Sequence, residues 1–284
     1  MSRLPAIANP QRQPYPSDLS DLEWEILKPL VPLPKGFGHP LEVDFREIFN
    51  GIFYVQRTGC QWEMMPHDLP PYSTVYRYFK KWQKGGFWQQ MHDKIRQKLR
   101  TELDRDEDST VAIADSQSVK TNRKKGSVYG FDGGKKVKGR KRHIVVDSQG
   151  LLIGVLVTEA NASERLGAVV VLNEAKEKLS KLEVLWVDQG YSGKNFASAV
   201  QQVCGVRGAL RQQYRVRVEV IKRTAQTFER LPKRWIVERT FGWLNRFRRL
   251  SKDYEVYSDV SEAMIYGSLI HLMVKRVASL RFTL

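Results

Sequence analysis

The sequence has 284 residues, 42% hydrophobic and 11% aromatic, which is enough for one large domain or two of ordinary size with a buried core. The formal net charge of +16 at pH 7 indicates a polyanionic partner, most commonly nucleic acid. The sequence has no apolar run long enough for a spanning helix and no signal-peptide pattern at its start, which argues against a membrane protein. Its two cysteines are far apart and its five histidines are scattered, which argues against a disulfide framework and a zinc site.

The first part of the chain is predicted to be helical. Residues 1–16 contain four prolines and are expected to form a flexible arm. Residues 17–105 show apolar spacing typical of four helices. The caps and stops that bound them are, in chain order, Ser17, Asp18 or Ser20, then Pro32 and Pro34, Gly59, Ser73 and Gly85.

The third of these helices, over 73–84, has one apolar face and one basic face. Its apolar face consists of Val75, Tyr78, Phe79 and Trp82, and its basic face includes Arg77, Lys80, Lys81 and Lys84. With the helix before it, this segment resembles a helix-turn-helix whose second helix enters the major groove of DNA. A simple packing role for the helices is the alternative.

After an acidic stretch at 104–108, the pattern changes to alternating strands and helices. Strands are predicted over 110–119, 142–150, 151–160, 182–191 and 214–221, and helices over 162–179, 194–203, 234–250 and 261–280. This order is that of a ribonuclease-H-like domain, a mixed sheet flanked by helices. We therefore expect an α/β domain over 106–284, preceded by the small all-α domain.

Two aspartates occupy strands where a carboxylate is unfavourable. Asp115 lies inside the first predicted strand, and Asp188 follows the apolar run of the fourth. In a sheet of this order the two strands are neighbours, so the two carboxylates would converge. Taken singly, Asp115 could be a structural aspartate and Asp188 a strand-to-turn signal. Asp147, which also ends an apolar run, is interpreted as turn chemistry and is expected to be dispensable for catalysis.

A third acid, Glu238, lies in a helix that is otherwise basic and aromatic. On a helical wheel it falls opposite the apolar face, with Arg234, Asn245 and Arg249. An ion pair with Arg234 is one interpretation. The other is that Asp115, Asp188 and Glu238 together hold two Mg²⁺ (or Mn²⁺) ions, which prefer carboxylate oxygens and promote phosphodiester chemistry.

The motifs ADSQSVK, VDQGYSG and RWIVERTFGWLNRFRRLSKDYE resemble bacterial insertion-sequence transposases of the Asp–Asp–Glu type, in the branch with short chains. The resemblance covers nearly the whole chain. It implies DNA cleavage and strand transfer, and it implies that Asp115, Asp188 and Glu238 are the metal-binding triad.

The chain departs from the signature of related transposases at two positions. Arg234 and Glu238 match it, but Leu231 stands at the tyrosine position and Asn245 at the lysine position. Two nearby arginines, Arg246 and Arg249, are expected to take over phosphate contacts.

The segment Lys120–Arg142, called the basic segment below, contains ten Lys and Arg residues, one acid and five glycines. It is predicted to be a mobile loop that becomes ordered on DNA, with phosphate contacts from Lys135, Lys136, Arg140 and Lys141. A solvated loop without a partner is the alternative.

The favoured function is a transposase that cuts at the terminal inverted repeats of its element and joins them to target DNA. We expect it to work as a homodimer or higher oligomer in the bacterial cytoplasm, associated with the nucleoid. A ribonuclease-H-like nuclease or resolvase, which only hydrolyses, and a catalytically inactive DNA-binding protein are the alternatives.

Overall fold

The computed structural model describes residues 12–32, 43–121, 126, 128–207, 212–221 and 235–282. The chain divides into two compact units. The helical unit comprises Met1–Leu103, Arg246–Leu250 and Ala263–Leu284, and the sheet unit comprises Asp104–Asn245 and Ser251–Glu262. Within these described ranges, no helix combines the length and the apolar character needed to cross a membrane.

The helical unit contains the four predicted helices. They are α1 (Asp21–Leu27), α2 (Phe45–Thr58), α3 (Tyr72–Lys84) and α4 (Phe87–Glu102), with short 3₁₀ turns at Lys28–Leu30, Trp62–Met64 and Arg248–Leu250. Ser20 caps α1 through a reciprocal capping box with Glu23. Gly59 ends α2 in a left-handed conformation with φ of 74°, and its N–H donates to the Val55 carbonyl at 2.9 Å. Both local signals predicted from the sequence are confirmed.

Aromatic side chains form the core of the helical unit. Phe49 of α2 stacks on Trp82 of α3 with ring centroids 4.9 Å apart, and Phe79 packs against Trp88 of α4 at 5.5 Å. Such aromatic pairs contribute about 0.5–1.5 kcal/mol beyond their buried area. Val75, Tyr78, Phe79 and Trp82 are all buried, as the apolar face of the third predicted helix requires.

The last helix, α8 (Ser258–Phe282), is divided between the two compact units. The sequence analysis places it in the domain over 106–284, and by their contacts its residues from Ala263 onward group with the helical unit. His271 stacks on Phe53 of α2 with ring centroids 4.3 Å apart, and the amide of Gln56 approaches the carbonyl of Met264 at 3.5 Å. Most of the circumference of α8 is apolar, so contact with a single neighbouring surface does not bury all of its apolar side chains.

The sheet unit is built on a mixed sheet. Its strands are β1 (Val111–Lys120), β2 (Gly130–Asp132), β3 (Val137–Asp147), β4 (Leu152–Glu159), β5 (Val184–Val187) and β8 (Arg217–Val220), while β6 (Val206–Arg207) and β7 (Gln212–Gln213) form a separate pair. The strand order is β2-β3-β1-β5-β8, with β4 also paired to β3. β1 is antiparallel to β3 and parallel to β5, which confirms the ribonuclease-H-like sheet.

Three helices accompany this sheet: α5 (Glu164–Glu174), α6 (Lys194–Cys204) and α7 (Trp235–Leu244). The buried core joins residues of β1 and β5 to the inner faces of α5 and α6, including Ala112, Ala114, Leu185, Val187, Val171, Leu172 and Val200. The helix predicted over 234–250 is shorter than expected. It ends at Leu244, and the following Arg246–Leu250 belongs to the helical unit.

The prediction that the basic segment is a mobile loop is wrong for most of its described part. Gly130–Asp132 and Val137–Asp147 pair as the antiparallel strands β2 and β3. Residues 122–125 and 127 lie outside the described residues. The turn between the two strands is held by Asp132, whose carboxylate accepts hydrogen bonds from the Ser118 hydroxyl and from the backbone N–H groups of Gly134 and Lys135.

Arg140 and Lys141, expected to contact DNA, are buried. Arg140 pairs with Asp253 at 3.1 Å and donates to the carbonyls of Val128, Glu255 and Val256. Lys141 donates to the Ala162 carbonyl and lies 3.6 Å from Asp132. Both side chains are committed to protein partners because alternating residues of β3 face the interior on both sides of the sheet.

The Arg140–Asp253 pair generates a stability prediction. Replacing Arg140 with leucine leaves a buried, uncompensated carboxylate and should lower the free energy of unfolding by about 3–5 kcal/mol. Urea denaturation measures this change. Lys120→Gln, an exposed charge at the end of β1, is the control and should change it by less than about 0.5 kcal/mol. A loss below about 1 kcal/mol for Arg140→Leu would show that the ion pair is not structural.

Candidate active site

Asp115 lies where β1 extends beyond its parallel neighbour. β1 pairs with β5 over Val111–Ile113, and Ile113 is opposite Trp186. Continuing this register by two residues places Asp115 beside Asp188, at the carboxyl end of β5. The Asp115 side chain is half-buried, and its Oδ1 accepts a hydrogen bond from the Ser116 N–H at 2.7 Å. The sheet therefore leaves this carboxylate unobstructed by the neighbouring strand.

Asp188 follows β5 directly and starts a short 3₁₀ turn, Gln189–Tyr191. Its Oδ1 accepts a hydrogen bond from the Gly190 N–H at 2.8 Å. The strand-to-turn role weighed from the sequence is therefore confirmed, and it coexists with a position in a cleft. A carboxylate at the end of a parallel strand is oriented by the turn that it holds.

A narrow cleft brings the two aspartates together. Its lining comprises Ile113, Ala114, Asp115, Val187, Asp188, Ile221 and Val237. Among the residues that the structure describes, the walls are aliphatic and the ionisable groups of the lining are the two carboxylates. The predicted convergence of the first and fourth strands is confirmed by this geometry.

Glu238 lies less close to the cleft than the two aspartates do. Val237 is 1% exposed and lines the cleft, whereas the next residue, Glu238, is exposed on α7. Over the described ranges, no group of three or more His, Cys, Asp and Glu side chains is arranged to hold a metal ion. Arg234, the alternative partner of Glu238, and Leu231 lie outside the described residues.

The donor chemistry of the cleft suits a hard divalent cation. Carboxylate oxygens are preferred by Mg²⁺ and Mn²⁺, and the cleft offers two of them. Glu238 adds a third within one residue of the cleft wall. The structure therefore brings two of the three predicted ligands together and leaves the third at the edge.

Tyr191 and Glu164 were missed by the sequence analysis. Tyr191 is 1% exposed, and the pKa of its phenol is raised by burial and then by the negative charges of Asp115, Glu164 and Asp188. All three carboxylates thus surround one buried ring. Tyr191 follows Asp188 in the VDQGY motif, and this proximity in the sequence could have indicated that it lies near the site. For Glu164 the sequence offers only its position as the first residue after the Ser163 helix cap.

Lys135 links the Asp115-bearing strand β1 to Glu164 at the start of α5. Its ammonium group donates to Glu164 at 3.0 Å and to the Ser116 carbonyl at 3.3 Å. Burial, the largest single influence, raises the pKa of Glu164, but the hydrogen bonds from Lys135 and Ser116 and the positive charges of Lys135 and Lys141 together outweigh it, so the net pKa is lowered. Lys135 is therefore a cation placed one residue from Asp115.

The other predicted DNA-contact residues lie on the helical unit or on the hairpin formed by β2 and β3. Arg77 and Lys81 are exposed on α3, and Lys80 is half-buried and donates to Gln83. Lys136 and Arg246 are exposed. Arg249 is half-buried and donates to the Cys60 carbonyl at 3.2 Å, so part of its guanidinium group serves the fold.

Comparison with known proteins identifies two matching families. Residues 106–273 match the family described as "Transposase DDE domain", and residues 19–92 match the family described as "Putative transposase of IS4/5 family (DUF4096)". The two matches meet close to the boundary between Leu103 and Asp104.

Two relatives come from Burkholderia cepacia. The "Insertion element IS402 uncharacterized 16.2 kDa protein" is 32% identical over 108 residues, which cover 36% of this chain and 72% of that protein. The "Putative transposase for insertion sequence element IS402" is 27% identical over 135 residues, covering 45% of this chain and 59% of that protein. The match thus spans little more than half of the second relative.

The buried phenol provides a test of the site's packing. Among the described residues, no hydrogen-bond partner meets the Tyr191 hydroxyl at bonding distance and angle. Removing it in Tyr191→Phe should therefore leave the free energy of unfolding unchanged or raise it by up to about 1 kcal/mol. Tyr191→Leu, which also removes the ring packed on Phe196, should lower it by about 2 kcal/mol or more. Denaturant titration at neutral pH distinguishes the two, and a clear loss in Tyr191→Phe would mean that the hydroxyl is bonded.

Proposed function

The chain belongs to the insertion-sequence transposases with a DDE domain, and on that premise we propose that it binds the terminal inverted repeats of an insertion sequence, cleaves there and joins the ends to target DNA. The observation that carries the proposal is the cleft that holds Asp115 and Asp188 at the carboxyl end of β5. The match to the relative named as a transposase spans 59% of that protein, so the complete reaction is our inference.

Asp115, Asp188 and Glu238 are the residues proposed to hold two Mg²⁺ or Mn²⁺ ions. Such ions, when bound, activate a water or a 3′-hydroxyl and stabilise the leaving oxygen of a phosphodiester. The sheet register fixes Asp115, and the Gly190 N–H fixes the carboxylate of Asp188. Glu238 lies on the exposed face of α7, next to the cleft-lining Val237.

The aliphatic walls of the cleft support this role. Ile113, Val187 and Val237 form aliphatic walls beside the carboxylates, and the buried Tyr191 phenol, whose pKa is raised partly by the charges of Asp115 and Asp188, lies near them. A low local dielectric strengthens the interaction of the aspartates with cations.

DNA is the proposed partner of the exposed cations. α3 presents Arg77, Lys80 and Lys81 for the repeat sequence, and the hairpin presents Lys135 and Lys136 for phosphates. We leave Arg140 and Lys141 out of this set because both are buried. The hairpin then supplies at most two phosphate contacts, each adding about 0.9 to the log–log salt slope.

Two ends must be held for an element to move, so we propose a homodimer or higher oligomer that acts on DNA in the bacterial cytoplasm. Each copy would contribute one cleft and one α3. Hydrolysis alone would instead describe a ribonuclease-H-like nuclease. Mapping the products of labelled element ends incubated with Mg²⁺ separates the two reactions, because joined strands form only in transposition.

The carboxylates give a direct test of the catalytic proposal. Asp115→Asn, Asp188→Asn and Glu238→Gln should each reduce cleavage of element ends by at least about a hundredfold, because each removes negative charge that holds the cations. Binding to the same DNA should stay within about twofold, since these side chains are not phosphate contacts.

Glu183→Gln is the matched control. Glu183 immediately precedes β5, at the end of the strand opposite Asp188, and is exposed. Normal cleavage by this variant shows that charge loss alone is harmless. If Glu238→Gln also cleaves normally, Glu238 is not part of the site and the two-metal arrangement must be reassigned.

α3 provides a second test. The double variant Arg77→Gln, Lys81→Gln should weaken binding to the element's ends by about tenfold or more and weaken binding to random DNA less. Lys28→Gln with Lys94→Gln removes two exposed charges elsewhere on the helical unit and is the control. Salt-controlled titrations measure both. An equal loss on the two DNAs would limit α3 to phosphate contact.

A further inference from the structure

The turn between β3 and β4, Asp147–Leu151, is stabilised by hydrogen bonds to the side chain of its first residue. The buried Asp147 carboxylate accepts hydrogen bonds from the N–H groups of Gln149 and Leu151 at 2.8 and 2.9 Å. The N–H of Gly150 donates to the Asp147 carbonyl, and Gly150 has a φ of 75°. The turn is therefore a rigid platform whose Gln149 and Gly150 carbonyls remain available to other elements.

Two residues of α7 bind these carbonyls. The Thr240 hydroxyl, fully buried, lies 2.7 Å from the Gly150 carbonyl and 3.2 Å from the carbonyl of Ile236 in its own helix. The Arg239 guanidinium donates to the Gln149 carbonyl at 2.7 Å. Of these two distances from the Thr240 hydroxyl, the one to the turn is shorter, so the hydroxyl donates its hydrogen bond to the turn and joins it to the helix.

The Arg239 side chain is itself fixed by two rings of the same helix. Its guanidinium carbon lies 4.4 Å from the centroid of the Trp235 ring and 4.9 Å from that of Trp243. The three residues follow one another at four-residue spacing, so they share one face of α7. A guanidinium group stacked between two rings loses little freedom when it donates to Gln149.

The turn packs closely against the helix at position 150, where a side chain would be crowded and the φ of 75° would be strained. A Cβ there would lie 3.0 Å from the Thr240 hydroxyl, 3.3 Å from the Arg239 guanidinium and 3.3 Å from the Ile236 carbonyl. The three helix positions in contact, 236, 239 and 240, lie on both sides of the pair Val237 and Glu238. Where the turn holds α7 therefore decides where Val237 and Glu238 lie.

We propose that the Asp147–Leu151 turn positions Glu238 for the reaction, with Thr240 and Gly150 as positioning residues. This inference rests on the proposed function of Glu238. Thr240 touches neither DNA nor cation. It acts by fixing the axial and rotational setting of α7, so that Val237 faces the cleft and Glu238 stands at its rim. Asp147, which builds the turn, is accordingly not a neutral control for cleavage.

The test compares Thr240→Val with Thr240→Ser in the full-length protein bound to element-end DNA. Valine keeps the shape of the side chain but removes the donor, whereas serine keeps the donor. Thr240→Val should weaken Mn²⁺ binding, measured by electron paramagnetic resonance before turnover, by about tenfold, as for changes in residues that orient metal ligands without binding the metal. Cleavage should fall in parallel, DNA affinity should stay unchanged, and Thr240→Ser should restore both.

Two further variants make the result decisive. Thr101→Val is the matched control, because Thr101 also bonds the carbonyl four residues earlier in its helix, α4, and is exposed; it should bind Mn²⁺ normally. Arg239→Lys keeps the charge but loses the planar stack, so it should weaken Mn²⁺ binding even if Thr240→Val does not fold.

Glu238→Gln separates the failure of this inference from the failure of the proposed function. If Glu238→Gln weakens Mn²⁺ binding and Thr240→Val and Arg239→Lys do not, the positioning role is overturned and the catalytic proposal stands. If Glu238→Gln also binds Mn²⁺ and cleaves normally, both proposals are overturned. A failure of Thr240→Ser to restore binding would likewise exclude the hydroxyl as the positioning group.

Discussion

The parallel pairing of β1 with β5 is the interaction on which the candidate active site depends. Asp115 and Asp188 are more than seventy positions apart in the sequence, and only the register Ile113 opposite Trp186 makes them neighbours. A slip of one residue would turn Asp115 to the other face of the sheet. The register is secured by the apolar residues that β1 and β5 bury against α5 and α6. The hydrophobic core thus sets the spacing of the two carboxylates.

The positive charge of the chain serves two separate purposes. Some arginines and lysines build the interior: Arg12 joins Asp18 and Glu47 in the helical unit, and Arg140 joins Asp253 in the sheet unit. Arg142 is fully buried, and burial lowers the pKa of its guanidinium to about 10. Other cations, such as Arg77 and Lys81, are exposed and remain available for a polyanion. Net charge therefore identifies the class of partner, whereas burial decides which residues can meet it.

The turn after β3 shows how a local signal acquires a tertiary role. Asp147 and Gly150 form a turn through hydrogen bonds and backbone conformations within a few consecutive residues, and these local interactions do not involve α7. The folded sheet unit then presents the turn's free carbonyls to Thr240 and Arg239. A residue that looks replaceable in the sequence becomes part of the support for Glu238.

The sequence by itself determined most elements of this protein and the residues worth testing. Helix caps at Ser20 and Gly59, the apolar face of α3 and the strands around Asp115 and Asp188 follow from short-range patterns, since capping, periodicity and turn chemistry act within a few residues. Tertiary structure alone decided that Arg140 and Lys141 are buried, that α8 packs largely with the first helices, and that Glu164 and Tyr191 adjoin the aspartates. These outcomes depend on contacts between residues far apart in the chain, and a charged or amphipathic pattern carries no information about which partner will cover it.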